Sequence, residues 1–207
     1  MDPISRLTEY FREFPGIGPR QARRFVYYLL TRNTAALEEL SRLILEIKKQ
    51  VHVCNRCFRF FNTQSNASLC PICTDRNRDQ SVLLVVSKDA DFEAIEKTHV
   101  HQGLYFILGG VVPILEKNPE NRVRSRELIA RLMSSFETGA TPIKELVLSF
   151  SATPDGEHTT DFIRSITKEI ALEKGITVTI LGRGLSTGSE LEYADGETIR
   201  SAFMNRA

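Results

Sequence analysis

The sequence predicts an α+β multidomain protein: a helical N-terminal domain, a small cysteine-bearing module, and a C-terminal α/β domain built on a parallel sheet. Three observations carry this. Apolar residues repeat at helical spacing through the first fifty positions. All four cysteines fall in two Cys-x-x-Cys pairs. From Ser81 onward, short β-rich runs alternate with helical ones.

In chain order, Ile4, Leu7, Tyr10, Phe11 and Phe14 form one helical stripe. Ala22, Phe25, Val26, Leu29 and Leu30 form a second, and Leu37, Leu40, Leu43, Ile44 and Ile47 a third. The second half reads "SVLLVV" then "DFEAIEKT", "LYFIL" then "RELIARLMSSF", "ELVLSF" then "HTTDFIRSITKEIALEK", and "ITVTIL" then "ETIRSAFM". Strands separated by crossover helices imply a parallel sheet covered on both faces. Linkers are expected around residues 50–53 and 75–80, giving segments 1–52, 53–76, 80–175 and 176–207. No internal repeat at a fixed period and no low-complexity tract is present.

With 42% apolar residues among 207, the chain can fill a core. No stretch reaches the ~18–20 apolar residues of a membrane span, and the start, "MDPISRLTEYFREF", is amphipathic and charged where a secretory signal is apolar. A cytoplasmic protein without membrane attachment is expected. The net charge of +1 argues against a generic polycation but conceals an asymmetry. Residues 1–60 hold eleven Lys/Arg against six Asp/Glu, whereas residues 81–207 hold fourteen against eighteen.

The basic end contains "FPGIGPRQARRFVYYLL". Two helices joined through Gly16 and Gly18 leave backbone N–H groups open at the start of the second helix, where the helix dipole also favours an anion. Glycine lets a phosphate approach without an intervening Cβ, Pro19 suits the first helical turn, and Arg20, Arg23 and Arg24 supply neighbouring charge. This is a helix-hairpin-helix suited to gripping a nucleic-acid backbone without reading bases. The plainer alternative is an ordinary helical turn with a solvated basic face.

The cysteines are Cys54 and Cys57 in "CNRC", and Cys70 and Cys73 in "CPIC". Two such knuckles close a tetrahedral thiolate shell around one structural zinc ion, a zinc finger with no open position for substrate. A redox Cys-x-x-Cys or two disulfides compete with this reading, but need an oxidising compartment or a thioredoxin-like setting. Arg56, Phe58, Arg59, Phe60 and Phe61 surround the first knuckle, the phenylalanines being expected to pack around it.

The order helix-hairpin-helix, four cysteines, then "LLVVSKDADFEAIEKT", "LYFILGGVVPIL" and "GRGLSTGSELEYAD" resembles the RecR family of bacterial recombination mediators across essentially the whole chain. Gly182 to Asp195 is the closest stretch. The resemblance implies a Toprim fold from residue 81 to about 195, and a ring-shaped homotetramer able to encircle DNA. It also implies partnership with RecO and RecF in loading RecA onto gapped DNA, in DNA repair and recombination.

The departures bear on chemistry. Toprim enzymes hold a divalent metal with a glutamate after the first strand and an Asp-x-Asp after a later one. Here Ser87 stands in the glutamate's place, and the later cluster is Asp155 and Glu157 in "TPDGEHTTD". With Thr153 these carboxylates suit a helix N-terminus, so helix capping or partner contact is expected over metal catalysis. "GRGLSTG" has the wrong spacing for a dinucleotide fingerprint and is expected to shape a subunit contact. His52, His99, His101 and His158 form no metal-binding pair on a helix face, and His99 and His101 alternate like surface strand residues. The sequence thus reads as a non-enzymatic DNA clamp. The alternatives are a Mg-dependent Toprim nuclease or topoisomerase-like enzyme, and a zinc-dependent protein adaptor.

Overall fold

The structure is a computed structural model that describes residues 2–63, 67–137, 141–182, 190, 192, 194 and 196–204. The chain divides into two compact units, residues 1–52 with 62–64, and residues 53–61 with 65–207.

In the first unit, helix α1 (Pro3–Arg12) starts where the Asp2 side chain accepts the Ser5 N–H at 3.1 Å. Helix α2 (Pro19–Leu30) starts at Pro19, and α3 (Thr34–Gln50) at Asn33, which accepts the Ala36 N–H at 2.9 Å. The α1–α2 pair is held by buried Thr8, Ala22 and Val26 and by an edge-on contact of Phe11 with Phe25, 5.7 Å between ring centres. Helix α3 contains no buried residue. Residues 51–53, where the sequence predicts a linker, form strand β1 (Val51–Val53), which pairs with β2 (Phe60–Asn62).

The second unit carries the short helix α4 (Pro71–Thr74) and a four-stranded sheet. Its strands are β3 (Asp79–Val86), β4 (Gly103–Ile107), β5 (Glu145–Ser149) and β6 (Thr177–Ile180), ordered β4-β3-β5-β6 and all parallel. Leu83 pairs in register with Leu104 and Leu146, and Leu84 with Tyr105 and Val147. The crossovers are α5 (Asp89–Glu96), α6 (Ser125–Glu137) and α7 (Pro154–Lys174), and α8 (Gly196–Met204) follows. Because successive strand residues point to opposite faces, Leu83, Val85, Phe106 and Leu148 pack with Leu128, Leu132 and Ile163 of α6 and α7. Leu84, Val86, Tyr105 and Ile107 pack with Phe92 of α5 on the other face.

The start of α7 is set by a close backbone approach. Thr153 caps it, accepting the Gly156 N–H at 3.2 Å, and a Cβ at Gly156 would be driven into the Ser151 carbonyl oxygen. Gly156→Ala is therefore expected to cost about 1–3 kcal/mol of stability through overpacking, read as a lower denaturant midpoint with an unchanged slope.

Candidate functional site

The hairpin between α1 and α2 is built from bare backbone. Gly16 has φ +77°, a left-handed conformation that favours glycine. Gly18 is extended and forms the N-cap of α2 without any side chain to cap it. The Ile17 N–H is internally bonded to the Phe14 carbonyl at 3.1 Å, but among the described residues no protein group accepts the Gly16 or Gly18 N–H. A Cβ at either glycine would meet nothing within 4 Å, so open space adjoins both.

Arg20, Arg23 and Arg24 are exposed and, among the described residues, form no ion pair. With Thr8, Arg12 and Tyr27 they line a groove of about 490 Å³. Arg12 differs from them, since its guanidinium meets Glu9 at 2.8 Å. The structure thus gathers the five predicted hairpin residues on α2 and the turn before it, and adds Tyr27, which the sequence reading did not single out. Its signal was its position one turn beyond Arg23 on the same helical face.

The four cysteines also converge. Their sulfurs all lie within 4.8 Å of one another and all four residues are buried. Cys57 Sγ and Cys70 Sγ are 3.5 Å apart. That is far beyond the ~2.05 Å of a disulfide and close to the ~3.8 Å edge of a tetrahedron with metal–sulfur bonds of about 2.3 Å. The crowding perturbs the thiols: hydrogen bonds from Cys57, Cys70 and Cys73 draw Cys54 well below the ordinary thiol range. The reciprocal bond with Cys54, then those with Cys70 and Cys73, drive Cys57 well above it. Neutral thiols satisfy this arrangement only by sharing protons, whereas one divalent cation holds all four as thiolates. The group fits a metal ion.

The local fold explains the convergence. Phe58, at φ 62°, turns the chain back so that its N–H reaches the Cys54 carbonyl at 2.9 Å. Pro71 opens α4 so that the Cys73 N–H meets the Cys70 carbonyl at 3.0 Å. The module is tied to the sheet by the Ile107 N–H, which donates to the Cys57 carbonyl at 2.8 Å, and by the Phe58 ring against Phe106 at 5.4 Å. Phe61 is buried among the cysteines. Phe60 departs from the expected packing and is exposed, while the Arg59 guanidinium lies 4.4 Å from the Phe92 ring centre.

Among the described residues, the acidic side chains form no group of three or more that could hold a metal ion. Ser87 follows the end of β3, and Asp155 and Glu157 occupy the first turn of α7. Asp155 accepts the Ile114 N–H at 3.2 Å, which ties the loop after β4 to α7. Among the described residues, the four cysteines are the grouping of three or more metal-ligating side chains. His101, expected as a surface strand residue, lies before β4 with its ring 4.8 Å from that of Tyr105. Of the stretch Gly182 to Asp195, residues 183–189, 191, 193 and 195 lie outside the described residues.

Fold and site define a protein class that joins a helix-hairpin-helix and a tetrathiol metal module to a Toprim-type parallel sheet. Residues 4–48 match the RecR helix-hairpin-helix family, residues 81–182 the Toprim domain and residues 184–207 the RecR C-terminal family. The chain is 38% identical over 204 residues to recombination protein RecR of Chloroflexus aggregans, covering 99% of this chain and 93% of that one. It is 38% identical over 206 residues to the Herpetosiphon aurantiacus protein of the same name, covering 99% and 94%. Over 205 residues it is 35% identical to that of Lactococcus lactis subsp. cremoris, covering 99% and 96%. The chain belongs to the RecR family.

Native mass spectrometry of the full chain is expected to show one divalent metal ion per protein. Cys57→Ser or Cys70→Ser should reduce occupancy at least tenfold. Because the ligands must be deprotonated, the ion should be retained at neutral pH and released as pH falls.

Proposed function

We propose that this chain is a non-enzymatic DNA-binding clamp of recombinational repair. In this reading it acts in the cytoplasm with RecO- and RecF-like proteins to help load RecA onto gapped DNA. The observation that carries it is the hairpin: among the described residues, the Gly16 and Gly18 amides have no partner and stand beside three arginines without counter-ions. Amide N–H groups donate to a phosphate oxygen whatever the base, and guanidinium groups neutralise the adjoining phosphates. Binding is then sequence-independent and weakens steeply with salt. The relatives' name, recombination protein RecR, agrees with this role.

One zinc ion per chain, held by Cys54, Cys57, Cys70 and Cys73, serves structure, since four thiolates leave it no open position. Ser87 in place of a carboxylate, with Asp155 engaged by the Ile114 amide, supports the non-enzymatic assignment. Asp155 and Glu157, at the start of α7, are read as a partner contact or a degenerate Toprim acidic site.

Self-association, in this reading into a homotetramer, is supported by α3. Leu37, Leu40, Ile44 and Ile47 follow three-four-three spacing, and the last three are 43%, 58% and 60% exposed. That pattern is the seam of a coiled-coil pair, and a second copy of the chain is the occupant proposed for it. Few phosphate contacts per copy bind weakly alone, and several linked copies raise avidity through effective concentration.

Replacing Arg20, Arg23 and Arg24 with Ala should weaken duplex binding about 10- to 100-fold and flatten the log affinity–log salt slope by roughly 3, at about 0.9 per lost contact. Gly18→Val keeps every charge and its Cβ meets no protein atom within 4 Å, yet it blocks phosphate approach, so affinity should fall about tenfold. Gly16 is unsuited to this test because its left-handed φ strains any replacement. Unchanged affinity in both variants, by fluorescence anisotropy, would rule out the hairpin as the grip. A Leu40→Glu, Ile44→Glu double variant should lower the solution mass and weaken DNA binding together. Dissociated subunits that bind as tightly as the assembly would contradict the avidity account.

A further inference from the structure

The sheet offers a second place for a ligand. In the order β4-β3-β5-β6 the chain leaves β3 for one neighbour and later returns to its other side at β5. Open parallel sheets bind ligands beyond the carboxyl ends of the strands at such a reversal. A cavity of about 520 Å³ lies there, lined by Ser87 and Lys88 after β3, Gly110 and Val111 after β4, and Ser149 and Ser151 at the end of β5.

The chemistry of this lining favours an anion. Ser87 is only 6% exposed, yet among the described residues its hydroxyl has no protein partner. As a lining residue of the crevice, Ser87 offers this hydroxyl to a ligand oxygen. The Gly110 and Val111 N–H groups have no protein acceptor among the described residues either. Lys88 is exposed and forms no ion pair among them. The carboxylate that lines the crevice, Asp91, is engaged by the Lys88 N–H at 3.2 Å. Nearby Asp155 holds the Ile114 N–H.

Hydroxyls, free amides and one ammonium group suit a tetrahedral oxyanion with several acceptor oxygens. The cavity is larger than a bare phosphate, and Ile95, Phe150 and Leu181 add apolar wall suited to an organic moiety. We propose that this crevice binds a phosphate ester directly, without a metal ion, with Ser87, Lys88 and the Gly110 and Val111 amides as its contacts. The site is separate from the hairpin, and each can fail alone.

The test is an amide NMR titration of the full chain, with inorganic phosphate and thymidine 5′-monophosphate as probes and sodium chloride of equal ionic strength as control. Saturable shifts should cluster at Ser87, Lys88, Gly110 and Val111. Lys88→Glu, at an exposed position, should weaken binding at least tenfold, and Ser87→Ala severalfold. The Arg20, Arg23, Arg24 triple alanine variant should titrate like the unaltered protein. Tighter binding of the nucleotide identifies a nucleotide as the source of the phosphate, and equal binding identifies the free ion. Shifts reproduced by chloride, an undiminished response in Lys88→Glu, or movement of these amides by Mg²⁺ and not by phosphate would each overturn the proposal.

Discussion

A parallel sheet buried on both faces leaves little but the ends of its strands for ligands, and that constraint organises the larger unit of this protein. Leu83 to Val86 place alternate side chains into two cores, one closed by α6 and α7 and the other by α5. No polar group can be added along those strands without a desolvation cost. Chemistry is therefore confined to Ser87 and its neighbours at the carboxyl edge. In a fold whose enzymes place a metal-binding carboxylate at that edge, a hydroxyl followed by Lys88 reverses the charge preference of the crevice.

The cysteine module meets a different constraint. Its own apolar content is slight, with Phe61 the buried aromatic among four thiols. Such a segment cannot offset its ordering entropy by hydrophobic burial alone. A metal ion held by the four cysteines would take the place of the missing core, and the bond from the Ile107 amide to the Cys57 carbonyl fixes the module to the edge strand β4. Phe58 serves both ends of this arrangement: its left-handed backbone closes the first knuckle while its ring packs on Phe106.

The hairpin works by omission. Side-chain caps satisfy the first amides of α1 and α3, through Asp2 and Asn33, but α2 begins at a glycine that has none to offer. An open helix start next to guanidinium groups that form no ion pair among the described residues suits an anion by both hydrogen bonding and dipole. The two glycines differ in kind: Gly16 is demanded by its φ, whereas Gly18 is sterically free within the protein.

Much of this was legible in the residues alone, because the informative features were local. Helical stripes, β-rich runs, Cys-x-x-Cys spacing and the Pro-Gly-x-Gly-Pro turn each depend on neighbours a few positions apart, so the sequence determined the element types and the candidate metal and hairpin residues. It could not reveal that Asp155 would be bonded to the loop after β4, that Gly156 must lie against Ser151, or that His101 would meet Tyr105 edge-on. Nor could it bring Ser87 and Ser149 to one crevice, since that follows from strand order and register. Local patterning decided what each segment becomes. Only tertiary packing decided which distant hydroxyls, amides and charges share a surface, because those contacts are set by how the strands pair and by what the helices must cover.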